Sequence, residues 1–267
     1  MVKSLRQKLT EGQSIVGVMV QDYTNTALMP VLADAGYDFI VIDQEHGPSD
    51  HLDIQNLVMS SKHLDIDILV RSTKISYEYM AKILDMGAHG LMIPHVDDWD
   101  DAQRVIKYSK YPPVGERSYG MRRFLSKHIE YTNAADYIKQ ANENTTLFVQ
   151  VESAESAAVV GDILGINYID GVIIGPSDLT MDLGIIGEYE NEKFVKMAEK
   201  VLLSCKNHNK AFGIHFGNLE LTKVWKEKGM NILLHSNISG LIRQRAGEVI
   251  SELKGKEFKQ KKDSGPY

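Results

Sequence analysis

The chain has 267 residues, of which 43% are hydrophobic and 25% charged, the balance of an ordinary soluble globular protein. A formal net charge of −6, with no basic stripe interleaved with aromatics, argues against a nucleic-acid surface, and no apolar run approaches the ~18 residues that cross a bilayer. The single cysteine, Cys205, excludes an intrachain disulfide and fits a reducing, cytoplasmic compartment, and Met1 to Lys8 lack the apolar core of a secretory signal.

Taken in chain order, short apolar runs alternate with longer amphipathic stretches. The runs fall at residues 15–20, 38–42, 67–70, 90–93, 147–151, 171–174, 211–214 and 231–234. Between them lie helical spacings that end in glycine. Ala27, Val31, Leu32 and Ala35 precede Gly36; Met80, Ile83 and Leu84 precede Gly87; Ala157, Val160, Ile163 and Leu164 precede Gly165. Near-continuous hydrophobic strands predict a parallel sheet covered on both faces. Eight β-α repeats in a chain of this length predict a (β/α)₈ TIM barrel, which typically needs about 250 residues. The alternative, a doubly wound open sheet, lacks a Gly-x-Gly-x-x-Gly turn after the first strand. Residues 111–144 read as an irregular insertion holding Pro112-Pro113, Gly115 and the basic cluster Arg117, Arg122 and Arg123. After Gly240, the apolar stripe Leu241, Ile242, Ala246, Val249, Ile250 and Leu253 predicts a last helix that closes the barrel or packs on a neighbouring subunit. The barrel domain therefore spans 1–253, and the Lys-rich segment 254–267 reads as a flexible polar tail.

Chemistry concentrates at the strand ends. The second strand breaks abruptly from Phe39-Ile40-Val41-Ile42 into Asp43, Glu45 and His46. The third ends in Arg71, the fifth carries Gln150 and Glu152, the sixth runs into Gly175-Pro176-Ser177-Asp178, and the seventh ends in His215. In a parallel barrel all of these reach the C-terminal face, where barrel enzymes carry their chemistry. Gln150 and Glu152 are two apart and share one strand face. Each residue also has a plainer reading. Asp178 suits a helix N-cap, Arg71 a structural ion pair, and His215 a satisfied or solvent-facing histidine, while His89, His95 and His235 read as structural. Jointly, on one face, the set is harder to dismiss. Glu152 and Asp178 on adjacent strands suit a hard divalent cation such as Mg²⁺ or Mn²⁺, which takes oxygen ligands. Zinc fits less well, because no His/Cys cluster and no His-Glu-x-x-His occurs. A paired-carboxylate glycosidase would leave Arg71 and His46 without a task.

These motifs resemble the class II, metal-dependent aldolases of the HpcH/HpaI family, which cleave 4-hydroxy-2-oxo acids to pyruvate, or a close 2-oxo acid, and an aldehyde. The matching pieces are Ala35-Gly36-Tyr37-Asp38-Phe39 with Asp43-Gln44-Glu45-His46-Gly47-Pro48, Leu69-Val70-Arg71, and Leu84-Asp85-Met86-Gly87-Ala88 with Ile93-Pro94. Tyr111-Pro112-Pro113-Val114-Gly115-Glu116-Arg117, Gln150-Val151-Glu152 and Gly175-Pro176-Ser177-Asp178-Leu179 follow in family order. The resemblance implies a (β/α)₈ barrel in which Glu152 and Asp178 hold Mg²⁺, Mn²⁺ or Co²⁺. It places Arg71 at the C2 oxygen of the keto acid, with Gln150, Gly175, Pro176 and Ser177 lining the pocket. It makes His46 the mediator of proton transfer at the aldol hydroxyl, with Asp43 orienting it, and has Asp85 approach the site of a neighbouring subunit. The implied partners are a small-molecule 2-oxo acid and an aldehyde, with no nucleic acid and no membrane. The implied assembly is a homo-oligomer, trimer or hexamer, with the last helix exchanged. The chain departs from the family pattern at Ser72-Thr73-Lys74, Pro94-His95-Val96 and Ser118-Tyr119, where the aldehyde half of a substrate would lie. Three rivals stand beside this reading: a Schiff-base aldolase built on Lys74, a lyase acting on malyl- or citryl-thioesters, and a non-catalytic keto-acid binding protein.

Overall fold

The computed structural model describes residues 3–120 and 127–255. Arg122, Arg123 and residues 256–267 of the expected tail lie outside the described residues. Eight strands form, all near the expected runs: β1 (Ile15–Val20), β2 (Phe39–Asp43), β3 (Asp67–Arg71), β4 (Gly90–Ile93), β5 (Thr146–Val151), β6 (Gly171–Ile174), β7 (Ala211–Ile214) and β8 (Ile232–Asn237). Each pairs in parallel with its neighbour, and β8 closes onto β1, so the sheet is a barrel. The helices among the described residues are α1 (Leu5–Thr10), α2 (Leu28–Asp34), α3 (His51–Ser61), α4 (Tyr77–Asp85), α5 (Trp99–Ser109), α6 (Ala134–Asn144), α7 (Ala154–Leu164), α8 (Pro176–Asp182), α9 (Glu192–Asn207), α10 (Leu219–Lys228) and α11 (Ile238–Lys254).

Strand alternation divides the apolar residues between two cores. Inside the barrel, Ile15, Met19, Phe39, Val41, Leu69, Met92, Phe148, Ile173, Ile232 and Leu234 pack together, and Leu5 of α1 plugs the amino-terminal end. The opposite strand faces, with Val18, Ile40, Ile68, Leu91, Val149 and Ile174 among them, pack beneath the helices. Continuing the inward alternation by one step brings Gln21, Asp43, Arg71, Gln150 and His215 to the carboxy-terminal mouth. The apolar filling thus ends in a polar layer at the carboxy-terminal end of these strands.

β8 breaks the alternation. Its register against β1 advances from Gly17↔Leu234 to Met19↔Asn237, which leaves one extra residue in β8. Ser236 takes a left-handed φ of 59° at that bulge. As a result Asn237, not Ser236, stands opposite the inward-facing Met19.

The helix ends follow local chemistry. Asp50 and Ser153 close capping boxes on α3 and α7, and Asn237 caps α11. Gly36 and Gly87 adopt φ of 89° and 92°, which a side chain would resist, and so turn α2 into β2 and α4 into β4. Gly165 caps α7 with a right-handed φ of −65°, so its glycine is not required by that angle. The stretch 111–144 is less irregular than its proline and glycine content suggests, because α6 fills its last eleven residues behind the Asn133 cap.

Gly17 points into the barrel against the ring of the fully buried Phe39, where an added Cβ would come within 2.3–2.6 Å of ring carbons. Gly17→Ala should therefore cost about 1–3 kcal/mol through overpacking. Urea denaturation measures this, and wild-type stability would mean that the interior layer is looser than drawn here.

Candidate active site

The site is built on one buried ion pair. Asp43 and Arg71 are register partners at the ends of β2 and β3. Arg71 Nε donates to Asp43 Oδ1 at 2.8 Å and Nη2 to Oδ2 at 2.6 Å, a two-pronged match that only a guanidinium can make. Gln21 Nε2 donates to Asp43 Oδ2 at 2.7 Å, and the backbone N–H groups of Glu45 and His46 donate to Oδ1 at 3.0 and 3.3 Å. Burial pushes the Asp43 carboxyl upward, but Arg71, then Gln21 and the backbone, outweigh it and hold the group below its ordinary range. Asp43 therefore stays ionised with its acceptor positions filled. It orients Arg71 and the backbone of the β2–α3 loop, whereas the bond to His46 reaches the main chain and not the imidazole. The His46 side chain itself is exposed on that loop.

Across the mouth the charges are unbalanced. Gln150 Nε2 donates to Glu152 Oε1 at 2.9 Å, and the His95 backbone N–H donates to Glu152 Oε2 at 3.3 Å. Burial is the main cause that raises the Glu152 carboxyl to about 7; Glu45 and Asp178 add to it and His95 opposes it. Glu45 Oε2 lies 3.2 Å from Arg71 Nη1 but without hydrogen-bond alignment, and is buried with no hydrogen-bond partner. Gln150 Oε1 is likewise buried and unpartnered. Arg71, Gln150, Gly175, Pro176, Ser177, Asp178 and His215 line a small cleft, and Glu152, Asp178 and His95 line an adjoining one. A buried carboxylate whose proton affinity is raised by burial and by two neighbouring carboxylates, next to orphaned oxygens, fits a hard divalent cation.

Several expectations change in detail. Gly175, not Asp178, is the N-cap of α8, so Asp178 stands in the first turn with its carboxylate at the cavity. His215 is a buried site residue rather than a solvent-facing one. Its Nε2 bonds the Ser236 carbonyl at 3.1 Å, and burial pushes the imidazole down to about 4, so it is uncharged at neutral pH. His95, read from the sequence as structural, reaches the mouth: Nε2 is 3.1 Å from Glu45 Oε1 and Nδ1 is 3.7 Å from Glu152 Oε2. Its left-handed φ of 53° aims it there, a conformation that no sequence pattern announces. Glu45 stood in the strand-end motif but was given no role. Lys74 is exposed on the β3–α4 connection. Asp85 does not join the site within one chain. It ends α4 and pairs with Arg117 at 2.6 Å, beside a cavity at the amino-terminal side of the barrel.

A second charged cluster lies at that amino-terminal end. Asp67, His89 and His128 offer ligand atoms within 4.8 Å of one another. Yet Asp67 Oδ1 already accepts from His128 Nε2 at 2.7 Å and Lys127 Nζ at 3.1 Å, and His89 Nδ1 accepts the Ile68 N–H at 2.8 Å. Asp67 starts the strand that Arg71 ends, so this cluster is about 13 Å from the mouth along β3. It is an internally neutralised structural group.

A family model for HpcH/HpaI aldolase/citrate lyase matches residues 18–233. The chain belongs to this family. It is 28% identical to the 4-hydroxy-2-oxo-heptane-1,7-dioate aldolase of Salmonella paratyphi B over the whole of both chains. An HpcH/HpaI aldolase from Desulfitobacterium hafniense superposes with a TM-score of 0.89 at 28% identity, covering 96% of this chain and 99% of that one. The citrate synthase SbnG superposes at 0.82 and 26% identity, covering 95% and 99%. The protein is thus an enzyme of the aldolase and lyase kind, acting on small molecules. No helix among the described residues is long and apolar enough to cross a membrane.

The raised Glu152 carboxyl gives this HpcH/HpaI protein a testable signature. Folding raises its proton affinity, so in metal-free protein its contribution to stability is fully present below the unfolded value of 4.5 and is lost as pH rises through about 7. Adding Mg²⁺ should release part of a proton at about pH 6.5 and should stabilise the fold more at pH 8 than at pH 6. Calorimetry in buffers of different ionisation enthalpy reads the proton count, and zero release would mean that Glu152 is already ionised.

Proposed function

We propose that the protein is a divalent-metal-dependent aldolase that reversibly cleaves a 4-hydroxy-2-oxo acid to pyruvate, or a close 2-oxo acid, and an aldehyde. The observation that carries this reading is the juxtaposition, in one mouth, of a rigidly held guanidinium and a buried carboxylate cluster short of cations. The aldolase names of the relatives support it. Glu152 and Asp178 would hold Mg²⁺, Mn²⁺ or Co²⁺, and a cation there supplies Lewis-acid polarisation of the 2-oxo acid. Arg71 would donate to the C2 oxygen, which is more anionic in the enolate than in the ketone, so its contribution grows along the reaction. Gln150, Gly175, Pro176 and Ser177 would enclose the keto acid. His46, exposed on the β2–α3 loop, would exchange a proton with the C4 hydroxyl. Asp43 takes no proton in this scheme, because its lone pairs are already committed.

The same reading includes a homo-oligomer, trimer or hexamer. Ile242, Ile250 and Leu253 of α11 are 53%, 48% and 77% exposed, a stripe that a second copy would cover, and an assembled neighbour is also what would bring Asp85 to a site. Light scattering checks this. A second reading, a lyase or synthase acting on a citryl- or malyl-type substrate, is favoured by the family description and by the likeness to SbnG.

Proton NMR in D₂O tests the reaction. Wild type with Mg²⁺ or Mn²⁺ should exchange the methyl protons of pyruvate and condense pyruvate with aldehydes, and EDTA should abolish both. Glu152→Gln and Asp178→Asn should each lose at least about 100-fold while remaining folded. Arg71→Lys should lower kcat as well as raise KM, since it keeps the charge but not the fork. His46→Ala should slow retro-aldol cleavage more than methyl exchange. Metal-independent turnover trapped by borohydride would sink the metal reading in favour of a Schiff base, and turnover confined to thioesters or citrate would favour the second reading.

A further inference from the structure

Behind Asp43 a chain of buried amides leads to the start of α11. Asn237 Oδ1 accepts the Gly240 N–H at 2.7 Å and so caps the helix, while its Nδ2 donates to Gln21 Oε1 at 2.8 Å. Gln21 Nε2 then donates to Asp43 Oδ2, the oxygen that also receives Arg71 Nη2. A carboxylate only accepts, so Gln21 must turn its NH₂ to Asp43 and its oxygen to Asn237. The order of donors is therefore fixed from one end of the chain to the other. Gln21 and Asn237 are both buried, and neither lines the cavity that holds Arg71. Asn237 faces inward only because of the extra residue in β8, and a bulge beside a site commonly serves to re-aim a side chain.

We propose that Gln21 and Asn237 are positioning residues for Arg71, acting through Asp43, so that the aim of the guanidinium depends on how α11 begins on the barrel. This rests on Arg71 acting on the substrate as proposed above. Asp43 holds Arg71 by two bonds, and the backbone N–H groups of Glu45 and His46 hold the carboxylate at Oδ1. The Gln21 bond, arriving from the end of β1, holds it at Oδ2 beside Arg71 Nη2. At its other end Gln21 Oε1 accepts from Asn237, which the helix cap holds.

Two substitutions separate positioning from folding. Asn237→Ser keeps a side-chain oxygen for the helix cap but is too short to reach Gln21. Gln21→Leu keeps the volume and removes both bonds. Each should leave Tm within a few degrees and lower kcat for aldol addition of pyruvate by about tenfold or more, with a smaller change in KM. The double variant should be no worse than the poorer single, because both break one chain. In ¹⁵N-resolved NMR, the Arg71 Nε–H, protected by Asp43 in wild type, should broaden or exchange faster in both variants. Should Gln21→Leu fail to fold, Asn237→Ser decides alone. Unchanged kcat, losses that track the folded fraction, multiplicative effects, or an unaltered Nε–H signal would each overturn the proposal. Absence of pyruvate methyl exchange in wild type would instead sink the aldolase reading, and the Nε–H signal would still decide the positioning claim.

Discussion

The Asp43–Arg71 pair is the constraint around which the mouth of this barrel is arranged. Arg71 heads the largest fully buried side chains of the molecule, and a guanidinium there without an anion would cost several kcal/mol. Its partner must therefore be a carboxylate, must lie on the neighbouring strand at the same register, and must stay ionised. Asp43 meets all three conditions because Gln21 and two backbone N–H groups satisfy what Arg71 leaves. The same saturation decides what Asp43 does not do. A carboxylate with filled acceptor positions and a lowered proton affinity is a poor base.

Much of this was legible in the sequence for a simple reason. Strands covered on both faces appear as unbroken apolar runs, and the first polar residues after them mark the open end of a barrel. Arg71, Asp43, Gln150 and Glu152 announce themselves in that way, and two-residue periodicity sets which face they share, while Asp178 follows β6 in the first turn of α8. The order of the eight strands follows from eight β-α repeats. The residues that escaped notice depend on departures from periodicity. Asn237 becomes an inward residue through a bulge, and His95 enters through a left-handed backbone. Gln21 follows β1 as one unremarkable amide among many, and only the carboxylate it serves gives it meaning.

Asp85 is tied to the reaction by resemblance alone. Chain topology sends the end of α4 to the amino-terminal side, where Arg117 neutralises it. Ile242, Ile250 and Leu253 of α11 stand exposed, and Ile238 is the helix's buried member.

The two ends of β3 make the distinction between a structural and a functional charge cluster concrete. At the amino-terminal end, Asp67 is deeply buried and its carboxyl is nonetheless held low, because His89, His128 and Lys127 outweigh the burial. Lys127 and His128 already donate to it, and an added cation would have to displace an ammonium. At the carboxy-terminal end, Arg71 faces Asp43, Glu45, Glu152 and Asp178, and burial, with the neighbouring Glu45 and Asp178 adding to it, raises the Glu152 carboxyl to about 7. Burial alone does not separate the two clusters, and neither does residue type, since the first contains the histidines a metal would favour. What separates them is charge balance. A cluster closed on itself stabilises a fold, whereas one that needs a further cation to ionise fully binds that cation more tightly as its buried carboxylates repel each other more.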